Sequence, residues 1–149
     1  MSITTEIKIP FQVRLDTVVL EQIKAQGEDG FPDEVCGFLY GYDGEVREII
    51  AAKPVVNSKE GDQRRRFEIS PLDYIRAEQF ALEKGFDLLG VYHTHPNHPA
   101  IPSEHDLRQA MPHFSYIILS VKEGVAAEMR SWRIDDLSGK FGEETLYFN

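Results

Sequence analysis

Apolar positions along the chain switch repeatedly between two periods. Leu15, Val18, Val19, Ile23 and the interleaved Gln22 and Gln26 follow helical spacing, with Asp16 near the start and Gly27 at the expected stop. Phe31-Pro32-Asp33 then breaks the chain. Residues 35–40 form an apolar run closed by Gly41, the pattern of a buried strand. Asp43-Gly44 signals a hairpin, with residues 45–56 as the return strand. Residues 57–63 read as a polar loop and 66–69 as a brief strand. Ser70-Pro71 opens a second helix, with Ser70 as N-cap and Pro71 in the first helical position. That helix carries Leu72, Ile75, Phe80 and Leu82 and ends at Gly85. Residues 88–92 predict a central strand, 93–102 a loop rich in His and Pro, and 103–111 a short helix capped by Ser103 and stopped by Pro112. Residues 115–121 and 126–134 are strands joined at Glu123-Gly124. Ile7-Lys8-Ile9 alternates as a short strand, and 140–148 predicts an edge strand or an arm. Strands, hairpins and helices in this mixture imply an α+β domain on a largely antiparallel or mixed sheet.

Length and composition narrow this picture. At 149 residues, with no repeat, linker or low-complexity tract, the chain reads as one domain over 1–149. The net charge of −9 argues against a nucleic-acid partner, which favours a basic face. Arg64-Arg65-Arg66 is the one basic cluster, readable as a solvated loop or as a docking patch. No apolar run approaches the ~20 residues of a membrane span, and the first residues lack the pattern of a secretory signal. The single cysteine, Cys36, excludes an intrachain disulfide and favours a reducing, cytoplasmic setting. Nothing in the sequence fixes an oligomeric state.

Chemistry concentrates in His93-Thr94-His95-Pro96 and Ser103-Glu104-His105-Asp106. Side chains alternate along extended backbone, so His93 and His95 point to one side and Thr94 to the other. Asp106, one turn into the next helix, can return a carboxylate to the same point. Two nitrogens and one oxygen leave a fourth zinc position open, the pattern of a catalytic site. The plainer readings are two exposed loop histidines and a simple helix cap by Ser103 and Asp106. The cap and the metal site are compatible. His98 is expected at the rim, His105 pointing away, and His113 at the surface. Cys36 lies in an apolar strand and reads as inert, against a thiol-hydrolase alternative with His93. The chain lacks H-E-x-x-H and the H-x-E with P-C-x-x-C of zinc nucleobase deaminases.

Taken together, Glu34-Val35-Cys36-Gly37-Phe38-Leu39-Tyr40-Gly41, Gly90-Val91-Tyr92-His93-Thr94-His95-Pro96 and Ser103-Glu104-His105-Asp106 resemble the JAMM (MPN+) metalloprotease motif: an early glutamate, H-x-H-P, then S-x-x-D. Residues 57–71, with Arg66-Phe67-Glu68-Ile69-Ser70-Pro71, resemble the compact bacterial members. The resemblance implies a deaminase-like three-layer sandwich, a mixed sheet flanked by helices. It implies that His93, His95 and Asp106 hold zinc, that Glu34 hydrogen-bonds the metal's water, and that Ser103 steadies the oxyanion. It further implies hydrolysis of a peptide or isopeptide bond after the C-terminal Gly-Gly of a ubiquitin-like protein, in compact bacterial members often a sulfur carrier related to ThiS and MoaD. A general small-peptide zinc hydrolase and a metal-free MPN scaffold are the rival readings. The tail of such a substrate is expected to lie extended beside the metal, along a sheet edge, with Arg64, Arg65 and Arg66 on a groove wall meeting acidic groups.

Overall fold

The computed structural model describes residues 11–149; the strand expected at Ile7-Lys8-Ile9 lies outside them. The chain runs β1 (Gln12–Leu15), α1 (Thr17–Gly30), β2 (Cys36–Tyr42), β3 (Val46–Val55), α2 (Pro71–Lys84), β4 (Asp87–Pro96), α3 (Glu104–Gln109), β5 (Ser115–Lys122), β6 (Val125–Ile134) and β7 (Phe141–Phe148). Sheet order is β1-β3-β2-β4-β5-β6-β7, and β1 pairs with β7, so the sheet closes on itself. The α+β class and the mixed sheet with helices agree with expectation; the three-layer sandwich does not fully match, because the sheet closes on itself. The correction lies at the tail, which is neither an edge strand nor an arm. The first half of β7 pairs antiparallel with β6, from Ile134↔Phe141 to Ser131↔Glu144. Its second half pairs parallel with β1, from Gln12↔Thr145 to Leu15↔Phe148. One strand that changes partner midway therefore joins the two sheet edges and removes both.

Side-chain alternation sorts the apolar residues into two clusters. Leu39, Tyr92, Ile117, Leu119 and Val121 pack with Val19 and Ile23 of α1. Phe38, Tyr40, Val91 and Tyr116 pack with Ala77 and Ala81 of α2. Helix α1 touches β3, β5 and β6, so the curled sheet wraps it. Asp16 caps α1 by accepting the Val18 amide. The helix does not stop at Gly27 but runs to Gly30. Gly27 is buried, and a Cβ there would lie 3.0 Å from Thr94 Cγ2 and 3.1 Å from Leu119 Cδ2. It is a contact glycine that lets α1 approach β4 and β5 closely. Helix α2 matches its expected bounds, with the Ser70 cap and Gly85 in the left-handed conformation. Its covered face is Ala77 and Ala81, flanked by Tyr74 and Phe80; Leu72, Ile75 and Leu82 stay exposed. Among the described residues no helix is long and apolar enough to cross a membrane.

Two buried ionic groups tie the sheet together. Arg47 donates to the carbonyls of Leu89 and His113 and to Ser115 Oγ, and its other guanidinium atoms bind Asp43. The Arg47 hydrogen bond holds the Asp43 carboxyl below its usual range. At the seam, Glu144 accepts from Ser131 Oγ and from Arg133 Nε, both at 2.8 Å. Glu144 sits where β7 changes partner, so its truncation strands Arg133 and Ser131 at the closure. Glu144→Ala should lower unfolding free energy by about 2–4 kcal/mol, read as a shifted urea midpoint; an unchanged midpoint would mean that the seam closes without it.

Candidate metal centre

Strand β4 carries the two histidines further than its sequence predicts. It continues through His93, Thr94 and His95 to Pro96, because β5 stays paired with it as far as Pro96↔Val121. The expected loop begins only at Asn97, whose φ is +58°. Alternation holds. Thr94 faces α1 and its Oγ1 accepts the Val35 amide at 2.9 Å, while His93 and His95 turn the other way. His93 stacks on Phe67, ring centroids 4.4 Å apart. Phe67 lies in irregular backbone, not in the strand expected at 66–69; Glu68 is held through its carbonyl by the Ser58 amide and hydroxyl.

Helix α3 supplies the carboxylate. Ser103 Oγ accepts the Asp106 amide, and Asp106 Oδ2 accepts the Ser103 amide at 2.9 Å, a reciprocal capping box. The cap fixes Asp106 Oδ2 at 3.3 Å from His93 Nε2 and 3.1 Å from His95 Nε2, and those nitrogens are 3.1 Å apart. The His95 tautomer follows from geometry. Its Nδ1 lies 2.8 Å from the Pro99 carbonyl, an acceptor only, so Nδ1 carries the proton and Nε2 offers its lone pair to the centre. Two imidazole nitrogens and a carboxylate oxygen thus converge, all three residues buried. Zinc bonds of about 2.0–2.2 Å at tetrahedral angles place ligand atoms about 3.3–3.6 Å apart. The observed triangle is within a few tenths of an ångström of that, so the residues fit a zinc ion.

Glu34 adjoins this triangle. It lies just before β2, beside the Cys36↔His93 register pair. A carboxylate oxygen of Glu34 and ring nitrogens of His93 and His95 lie within 4.8 Å of one another. Glu34 Oε1 is buried and without a hydrogen-bond partner among the described residues, as is His93 Nδ1. Burial, then the charges of Asp106 and Asp62, push the Glu34 carboxyl up to about 9. Burial depresses His93, against the pull of Asp106. Burial alone would raise Asp106, but the adjacent His93 and the hydrogen bond from the Ser103 amide outweigh it and hold the group below its ordinary range. Such a cluster of desolvated, oppositely perturbed groups is the signature of a functional site.

A cavity of about 520 Å³ opens over this cluster, lined by Glu34, His95 and Ser103 together with Arg64, Arg65, Pro96, His98, Pro99 and Ile101. His98 is a rim residue, as expected. His105 points away, its Nε2 bonded to Gln109. Arg66 does not line the cavity; its carbonyl accepts from Asn57 Nδ2. Sequence reasoning missed Asn57 and Gln63, which bind the backbone around Glu34, and Pro99, which sets the His95 tautomer; in the sequence these are ordinary loop residues.

Residues 16–135 match the family of prokaryotic homologs of the JAB domain. The chain is 36% identical over 90 residues to a desampylase of Haloferax volcanii, covering 60% of this chain and 63% of that protein. It thus spans less than two-thirds of that relative's length. It is 30% identical over 103 residues to a desampylase of Pyrococcus furiosus, covering 69% and 68% respectively. Solution structures of proteins from Desulfitobacterium hafniense and Salinibacter ruber superpose with TM-scores of 0.80 and 0.70, at 28% and 35% identity; they cover 93% and 91% of both chains.

Cys36 lies beside the centre but is no nucleophile. Its thiol is fully buried, 3.6 Å from the Val55 carbonyl, and burial, then the charges of Glu34 and Asp73, push it up to about 12. The thiol stays protonated well above neutral pH. Native protein at pH 8 should resist iodoacetamide while urea-unfolded protein labels fully. Rapid native labelling, followed by mass spectrometry, would contradict this burial.

Proposed function

The chain belongs to the prokaryotic homologs of the JAB domain, and from that premise we propose that it is a zinc-dependent hydrolase. Its substrate is a peptide or isopeptide bond following the C-terminal Gly-Gly of a ubiquitin-like protein of the sulfur-carrier type. The observation that carries the reading is the triangle of His93 Nε2, His95 Nε2 and Asp106 Oδ2, all pairs within 3.1–3.3 Å, next to an unpartnered Glu34 oxygen. A relative named a probable TtuB-protein conjugate cleaving protease, 37% identical over 57 residues, supports the class of bond, as do the two desampylases.

His93, His95 and Asp106 would hold the ion. When bound, zinc supplies Lewis acidity, polarising a carbonyl oxygen and bringing a water's pKa toward about 7. Glu34 takes the proton of the attacking water and returns it to the leaving amine. Burial raises its affinity for a proton, a cation held by the triangle would favour its ionised form, and among the described residues no donor occupies its Oε1. Ser103 uses a lone pair to cap α3, which leaves its hydroxyl proton free to donate to the developing oxyanion. A closed sheet offers an incoming tail only short edges. One lies at the end of β4, whose pairing with β2 ends at His93 while its pairing with β5 continues. There the cavity opens, and an extended tail with glycines at the scissile bond suits a channel walled by two arginines and three loop residues.

Wild-type protein should carry about one zinc per chain and His95→Ala little, with both folded by circular dichroism. Glu34→Gln should keep the zinc and lose turnover roughly 10²- to 10⁴-fold. Full zinc in His95→Ala would remove it from the ligand set, and near-normal turnover in Glu34→Gln would remove Glu34 from the chemistry.

Arg64 and Arg65 are set to steer an acidic substrate into the cavity. Changing both to Ala should slow cleavage of a Gly-Gly-extended carrier at low salt several-fold and flatten its salt dependence. An unchanged salt profile would leave the arginines as a solvated loop.

A further inference from the structure

Residues 57–68 connect β3 to α2 with no secondary structure of their own beyond a turn. A loop of that length and polarity would ordinarily be a surface connection. Here two of its polar side chains, Asn57 and Gln63, are spent inward. Asn57 uses its whole amide: Oδ1 accepts the Lys59 and Glu68 amides, and Nδ2 donates to the carbonyls of Arg66 and Glu34, at 3.0–3.2 Å. Gln63 Nε2 donates to the carbonyls of Asn57 and Lys59 at 3.1 and 2.9 Å, closing the loop on itself. The Gln63 carbonyl, so placed, accepts the Glu34 amide at 2.7 Å. Glu34 is therefore gripped at both its backbone N–H and its C=O by this one loop.

The next residue is fixed independently: the Val35 amide donates to Thr94 Oγ1, and its carbonyl accepts the Thr94 amide. Backbone placement aims Glu34, whose Oε1 has no hydrogen-bond partner among the described residues. We propose that the 57–68 loop is a positioning clamp for Glu34, with Asn57 and Gln63 as positioning residues that set the approach of its carboxylate to the reacting water. The clamp rests on the reading of Glu34 as the base. Loss of either amide lets Glu34 drift, and small displacements of a reacting group are expensive in rate.

The experiment is a double-mutant cycle with an independent structural readout. Asn57→Ala and Gln63→Ala are each made alone and in the Glu34→Gln background, and kcat and KM are measured on a carrier with a Gly-Gly extension. Each single variant should lose roughly 10- to 100-fold in kcat with KM little changed. In the Glu34→Gln background the same changes should cost less than about 2-fold, since the group being aimed is already disabled. In metal-free protein, hydrogen exchange of the Glu34 amide should quicken at least 10-fold in both variants while amides in β5 stay protected. A kcat near wild type in both single variants, an equal loss in the Glu34→Gln background, or unaltered exchange at Glu34 would each overturn the clamp. An active Glu34→Gln would instead overturn the proposed base, a separate result.

Discussion

Four ionisable side chains are buried around one point, and the rest of the site answers to that cost. Glu34, His93, His95 and Asp106 are each under 9% exposed. Removing such groups from water is unfavourable unless each finds a counter-charge, a hydrogen bond or an ion. Asp106 is compensated by the Ser103 amide and by the adjacent His93 imidazole. His95 is compensated by the Pro99 carbonyl. Glu34 Oε1 and His93 Nδ1 are not compensated by any described residue, and a divalent cation in the triangle would offset the Glu34 charge directly. A cation there would supply the charge that the described side chains do not.

The scaffold makes this burial possible by holding β4 between two strands of opposite sense. Antiparallel β2 delivers Glu34 to the level of His93, and parallel β5 carries β4 straight to Pro96. Gly90 marks how tight this is: a Cβ there would lie 1.9 Å from the Ser115 carbonyl oxygen. Gly27 does the same on the opposite face, admitting α1 to within contact of Thr94, whose hydroxyl in turn secures the residue after Glu34. The positions of α1 and of Glu34 are in this way parts of one packing arrangement.

Much of this was legible in the sequence. The caps at Ser70 and Ser103, the Gly85 stop and the alternation of His93 and His95 depend on neighbours a few residues away, and they read correctly. So did the burial of Cys36, which follows from its apolar strand. What failed to read depends on distant partners. Gly27 looks like a stop because its packing against Thr94 and Leu119 lies nearly 70 and more residues downstream. His93 to Pro96 looks like a loop because Pro and His are poor strand formers, and only pairing with β5 keeps them extended. The closure was hidden for the same reason, since β7 gives no local sign that it changes partner at Glu144. The role of Asn57 was hidden because its hydrogen bonds go to backbone, which carries no sequence signal.

That change of partner also orders events during synthesis. Strand β1 leaves the ribosome first among these strands and β7 last, yet they are neighbours in the finished sheet. Until β7 emerges, the outer edges of β1 and β6 both lie open, and β1 has only four residues paired with β3. A nascent or truncated chain therefore presents two unpaired edges, the geometry that invites pairing between molecules. The seam that seals the molecule is a contact of high sequence separation, which slows folding. Protection from self-association thus arrives with β7, and closure of the sheet waits for that strand.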